Sequence, residues 1–387
     1  MPARRYRIHL AWLQLSYDKF RLVAALSGIV FAVVLMLMQL GFRDALYLVA
    51  TQTHNLMRED LVMMSTQYEY LNVTASFSQR YLYETLEFPE VDSVSPLYVS
   101  IANWKSPKNH RDLPIFVMAF NPQDKVFDLP EVNAAREKLK MPDAVLFDEG
   151  SKPVYGSFTK VLQEGGTAFT EVAGHRVQIV GDFHLGISFA SDGNIIMSDS
   201  TFLRIIPGSD ENIINLGLIR IKPGADAEGL RRKLQSILPP GIQVLTRPQY
   251  IAYERNYWAT RTPIGFVFNL GAFVGFLVGG VIVYQILYTD VTDHLGEYAT
   301  LKAMGYTDRY LAGVVIQEGL ILALIGFIPG WLFSAAMGVL TRKVTLLPAF
   351  MTWQRSAIVL TLTVVMCAVS GVLAMQKIRS ADPAENF

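Results

Sequence analysis

Four stretches of the chain are long, apolar and free of charge: residues 22–41, 263–288, 319–341 and 356–376. A helix needs about 20 apolar residues to cross roughly 30 Å of hydrocarbon. Runs this long would aggregate if left uncovered in water, and core helices of soluble domains are seldom so uniformly apolar. The first run is too long for the apolar core of a secretory signal, and no small-residue cleavage site follows it. It reads as a retained anchor. The pattern predicts an α-helical membrane protein with four transmembrane helices plus a mixed α/β extracytoplasmic domain inserted between helices 1 and 2.

The division that follows is an N-terminal segment 1–21, helix 1 at 22–42, an outer domain 43–262 and helix 2 at 263–288. Then come an inner loop 289–310, helix 3 at 311–341, a short outer loop 342–355, helix 4 at 356–376 and a tail 377–387. Basic residues collect on the inner side of membrane proteins. Arg4, Arg5, Arg7, Lys19 and Arg21 precede the first run, and Lys377 and Arg379 follow the last. Both termini are therefore expected to be cytoplasmic. One detail disagrees: the short outer loop carries Arg342, Lys343 and Arg355.

Within the outer domain, residues 61–64, 115–120 and 177–180 read as strands bounded by Pro, Gly or Asp. Residues 216–221, the Pro223-Gly224 turn, a helix over 227–238 and a strand over 242–245 read as a compact βαβ unit. The flanks 44–57 and 249–259 have helix-compatible spacing. They read as stalks continuous with helices 1 and 2.

Composition agrees with a membrane protein. Of 387 residues, 51% are hydrophobic and 18% charged, against about 25% charged in soluble domains. Equal numbers of basic and acidic residues, 34 of each, give no bias toward nucleic acid. The single Cys367 excludes an intrachain disulfide. His175 and His184 lie near Asp182, but their spacing matches no standard zinc site. Gly150-Ser151-Lys152 lacks the full phosphate-loop pattern, and G-x-x-x-x-G-K-[ST] occurs nowhere in the chain. The reading assigns no catalytic or metal residue and no cofactor bound by this chain.

Small residues recur at every fourth position in two of the apolar runs: Gly271, Gly275 and Gly279, then Gly326, Gly330, Ser334 and Gly338. In lipid no hydrophobic effect drives helices together, so ladders that let backbones approach closely mark packing faces. Glu318 precedes the third run. A charge at mid-bilayer is costly, so Glu318 is expected to reach the interface or a polar neighbour. In the inner loop, residues 297–304 read as a short helix with Tyr298, Leu301 and Met304 at i, i+3 and i+6. Gly305 is suited to end it with a positive φ, and Thr307 to cap the third span. Such a helix either docks into a groove of a soluble partner or merely joins two spans.

Val291, Thr292, Glu297, Tyr298, Ala299, Leu301, Lys302, Ala303, Met304 and Gly305 resemble the cytoplasmic loop of the MacB/FtsX family of ABC-transporter permeases. That pattern runs roughly V-[TS]-x-R-x-R-E-[IY]-[GA]-x-[LR]-[RK]-A-[ML]-G. Its two arginines are replaced here by His294 and Gly296. The wording is most similar to the DevC branch, known from cyanobacterial glycolipid exporters. The arrangement of one span, a large outer domain and three further spans is similar as well.

The resemblance implies a multi-pass permease of a bacterial plasma (inner) membrane, lodged in the lipid bilayer as a homodimer. ATP and Mg would be held by a separate ABC ATPase subunit. Glu297, Tyr298, Leu301, Lys302, Met304 and Gly305 would form the helix that receives its stroke. The outer domain would meet a periplasmic adaptor (a membrane fusion protein) and, through it, an outer-membrane channel, and the complex would export a lipid-like or other envelope cargo. The alternative implied is FtsX-like signalling to a periplasmic partner without transport.

Overall fold

The computed structural model describes residues 19–188 and 191–376. Arg4, Arg5, Arg7, Lys377 and Arg379, which set the expected orientation, lie outside the described residues. Among those described, four helices are long and apolar enough to cross a membrane: Lys19–Leu56, Pro263–Asp293, Asp308–Thr345 and Trp353–Ala374. The chain is a membrane protein. The first three helices contain their apolar runs and outlast them, because the flanking polar residues also suit a helix, while the fourth starts before its run and ends at Ala374. Thr307 stands at the N-cap of the third helix with extended backbone, but its side chain makes no capping bond.

The two stalks differ. The first helix runs unbroken to Leu56. The chain returns through the helix Arg247–Asn256 and one π-helical turn, Tyr257–Arg261. There the helix stops: Thr262 is extended, at φ −113° and ψ 153°, and the second span begins at Pro263. The expectation of a second stalk continuous with its span is thus corrected. Proline forces the residue before it out of the helical region, and its own fixed φ suits the first helical position.

Leu46–Thr262 forms one compact unit. Its strands are β1 (Leu61–Ser65), β2 (Phe77–Ser78), β3 (Val91–Lys105), β4 (Asp112–Phe120), β5 (Ala144–Asp148), β6 (Ala168–Val172), β7 (His175–Phe183), β8 (Asn194–Ser198), β9 (Ile213–Ile214), β10 (Leu216–Ile221) and β11 (Ile242–Thr246). Nine of them form one mixed sheet in the order β11-β1-β10-β3-β4-β8-β5-β7-β6, and β2 pairs with β9 separately. The long β3 serves two halves. Its first half pairs with β10, its second with β4. At its end Trp104 bridges Val172 of β6, which curls the far half back on itself.

Side chains on successive strand residues point to opposite faces. Leu61, Met63, Ile115, Val117 and Ala119 enter one apolar cluster. Val62, Met64, Phe116, Met118 and Phe120 enter another on the other face. A strand covered on both sides reads as an unbroken apolar run rather than as alternation. The expected βαβ unit is present in split form: β10, the helix Ala227–Ile237 and β11 follow in order, and the two strands run parallel. β10 and β11 are not neighbours, because β1 lies between them, antiparallel to both. The connecting helix Ala227–Ile237 buries Leu230 and Leu234 over the face bearing Leu61 and Met63.

Candidate functional site

The inner loop folds as the helix Leu295–Ala303 between the second and third spans. Tyr298 is fully buried in a cluster with Val291, Leu311, Val315 and Met375, and Leu301 packs against it. Met304 is 64% exposed. At 3.6 residues per turn, i and i+3 share a face, while i+6 lies roughly 120° away. Tyr298, Leu301 and Met304 thus do not share one face. The first two anchor the helix to its own bundle, leaving Glu297, Thr300, Ala303 and Met304 outward. Gly305 follows at φ +93°, which an L side chain rarely adopts. Lys302 pairs with Asp308 of the third helix at 3.0 Å. The loop is clamped at both ends.

A polar cluster lies at the start of this helix. Arg21 of the first span pairs with Asp293 and, at 3.4 Å, with Asp290 of the second. His294 directs Nδ1 at the Asp290 carbonyl, 2.9 Å away. It is thus turned back into the span rather than outward. Gly296 has open space where a Cβ would stand. A longer side chain would project freely from the loop there, so the glycine does not answer to packing within this chain.

Both small-residue ladders face the first span. A Cβ on Gly271 would meet Gln39, one on Gly275 would meet Leu35, and one on Gly279 would meet Ala32 at 2.5 Å and Met366 at 2.7 Å. Across the third span, Gly326 abuts Ile29 and Gly330 abuts Val33. Gly338 lies instead against the Ala349 carbonyl. Ser334 is buried, and its hydroxyl has no partner among the described residues. Glu318 corrects an expectation. It is fully buried within the bundle, and neither carboxylate oxygen has a hydrogen-bond partner among the described residues. Its neighbour Gly319 brings the third span close to the Cys367 carbonyl of the fourth.

The outer unit holds a buried polar network that sequence reading missed. Glu254 accepts from Tyr68 Oη at 2.8 Å and Trp258 Nε1 at 3.1 Å, and His54 Nε2 lies 3.2 Å away. Because the Tyr68 proton is committed to Glu254, Tyr250 donates to Tyr68 at 3.1 Å. Burial drives both phenols well above the ordinary tyrosine range, so both remain donors. The network ties the end of the first helix to the returning helix. Its signal in the sequence was faint: one His in an apolar stretch and one Glu among aromatics. Gly150 also gains a reason. A Cβ there would meet the Gly186 Cα at 2.5 Å, in a knot where Asp148 accepts from the backbone of Gly150, Leu185 and Gly186. Among the described residues no His, Cys, Asp or Glu group is arranged to hold a metal.

Residues 269–383 match the family described as FtsX-like permease C-terminal. The match takes in most of the second span, the loop helix and the last two spans, so the chain carries an FtsX-like permease domain. It is homologous to ABC transporter permeases. Over 228 residues it is 22% identical to an uncharacterized ABC transporter permease of Mycobacterium tuberculosis (strain CDC 1551 / Oshkosh), covering 56% of this chain and 56% of the relative. The same figures hold for an uncharacterized ABC transporter permease of strain ATCC 25618 / H37Rv. The chain thus spans just over half the length of the curated relatives it matches. Among solved structures it is similar to the periplasmic region of MacB from Actinobacillus actinomycetemcomitans, at 12% identity and a TM-score of 0.35, covering 50% of this chain and 91% of that one. The extracellular domain of the noncanonic ABC-type transporter YknZ from Gram-positive bacteria gives 15% identity and a TM-score of 0.34, covering 49% and 99%.

Proposed function

We propose that the chain is the permease subunit of an ATP-driven exporter of the MacB/DevC type. Its termini are cytoplasmic in a bacterial inner membrane, and it works as a homodimer with a separate ABC ATPase that holds ATP and Mg. The helix Leu295–Ala303 receives the ATPase stroke, and the outer domain works with a periplasmic adaptor and an outer-membrane channel to move a lipid-like or other envelope cargo. The observation that carries this reading is the loop helix itself. It lies inside the FtsX-like domain, is held from within by Tyr298, and offers Glu297 and Met304 outward. A helix fixed on one face and free on the other transmits a push instead of absorbing it.

The test is co-purification of the ATPase with the full chain from its native host. Glu297→Lys with Met304→Asp is expected to weaken ATPase retention by about tenfold, roughly 1.4 kcal/mol, with the permease still folded. Undiminished retention and export in that variant rules out the coupling assignment. A second reading, FtsX-like signalling to a periplasmic partner, is favoured by one feature. The outer unit carries a cleft of about 800 Å³ whose lining includes Arg58, Lys125, Arg220, Asp92 and Asp124. That lining suits a polar partner better than an acyl chain. An adaptor and channel captured on the outer domain favour export; a cell-wall hydrolase favours signalling.

A further inference from the structure

The three basic residues that disagree with the charge rule, Arg342, Lys343 and Arg355, do not share one role. Arg355 is buried inside the bundle and paired with Asp44, a carboxylate it shares with Arg43. Its guanidinium bonds Asp44 at 3.0 Å and the Phe350 carbonyl at 3.0 Å. Arg342 has no acidic partner among the described residues. It donates to the Ala349 carbonyl at 3.0 Å and lies over the Phe350 ring, 4.9 Å from its centre. Two contacts fix where its charge sits, and no acid among the described residues cancels that charge. Lys343 beside it is exposed.

Arg342 lines a cavity of about 270 Å³ between the first span, the third span and the segment that follows the third span. This is close to the lower end of small-ligand sites, roughly 300 Å³. The walls are apolar, with Leu37, Met38, Phe42, Val339 and Met351 among them. Ser334 also lines it, and this is the hydroxyl that is 1% exposed and has no partner among the described residues. An apolar slot, a buried hydroxyl donor and an uncancelled cation form one amphiphilic gradient. A neutral hydrocarbon would leave the hydroxyl and the cation without partners.

We propose that this cavity binds an anionic phospholipid of the surrounding leaflet. One acyl chain lies along the apolar wall, an ester carbonyl accepts from Ser334, and the phosphate lies at Arg342 with Lys343 nearby. The site explains why basic residues are tolerated at this end of the bundle: they face a bound anion. It rests on the membrane assignment and not on the export reading, since no ATPase enters the measurement.

Native mass spectrometry of the full chain in detergent, titrated with dioleoylphosphatidylglycerol or dioleoylphosphatidylcholine, tests it. One phosphatidylglycerol per chain is expected to be held about fivefold more tightly than phosphatidylcholine, the preference one basic side chain confers near an anionic headgroup. Arg342→Gln is expected to abolish the preference while phosphatidylcholine binding is unchanged. Ala335→Phe, which fills the slot, is expected to weaken both lipids. Retention of the preference in Arg342→Gln overturns the proposal, and that half-buried position makes the variant a safe one to fold. Unchanged lipid counts in a folded Ala335→Phe overturn it as well. If that variant instead turns dimers into monomers with lipid counts unchanged, the cavity is a chain–chain contact and the proposal fails.

Discussion

Glu59 sits between Arg58 and Asp60 in the sequence. Folding buries it to 4% exposure, and neither oxygen has a hydrogen-bond partner among the described residues. Burial pushes its carboxyl from an ordinary 4.5 up to about 8, against the pull of Arg247. The folded protein therefore holds a proton between these values that the unfolded chain has already released. Stability contributed here is greatest below about pH 4.5 and declines until about pH 8. Over that window the loss is on the order of 5 kcal/mol. Glu59→Gln is expected to remove the decline and to raise the unfolding midpoint at pH 8 more than at pH 5. A midpoint whose pH profile is the same in the variant would show that the acid is solvated. The burial of Glu59 and of the His54–Glu254 pair had no sequence signature, because neighbours distant in the chain create it.

At the scale of elements, the four-residue ladders were legible as packing faces because close approach in lipid favours small residues. The partner of those faces was not legible. Helical spacing says which residues share a face, but not what stands opposite. The structure sets Gly271, Gly275 and Gly279 on one side of the first span, and Gly326 and Gly330 on another. Gly279→Leu is expected to destabilise the bundle by about 1–3 kcal/mol through overpacking against Ala32 and Met366. Gly313→Leu, where a Cβ meets nothing within 4 Å, serves as the control. Thermal unfolding of the full chain in detergent compares the two, and equal midpoints would mean the ladder is not a contact. The loop helix carries the same lesson. Its existence and its stop at Gly305 were written in the sequence, whereas the inward turn of Tyr298 needed Leu311, Val315 and Met375 to be present.

At the scale of the whole molecule, the orientation proposed above has a direct chemical test. The chain has one cysteine, Cys367, and it is fully buried, so background labelling by a membrane-impermeant maleimide is expected to be low. Ser236→Cys lies on an exposed helix position of the outer unit and Ala303→Cys on an exposed position of the loop helix. In intact cells the first is expected to label and the second to label only after the membrane is opened. The reverse pattern would invert the topology and remove the loop helix from the ATPase.

The sequence by itself determined that this protein lies in a membrane, how its apolar runs are spaced and where its inner loop bends. These follow from transfer free energies and backbone preferences, which act on each stretch alone. It also marked five of the eleven described strands, since a strand buried on both faces must be apolar throughout. Tertiary structure alone decided that β1 separates β10 from β11, that Glu318 lies inside the bundle and that Arg355 meets an acid while Arg342 meets none among the described residues. Burial and charge pairing are properties of residues brought together from far along the chain, and no local pattern records them.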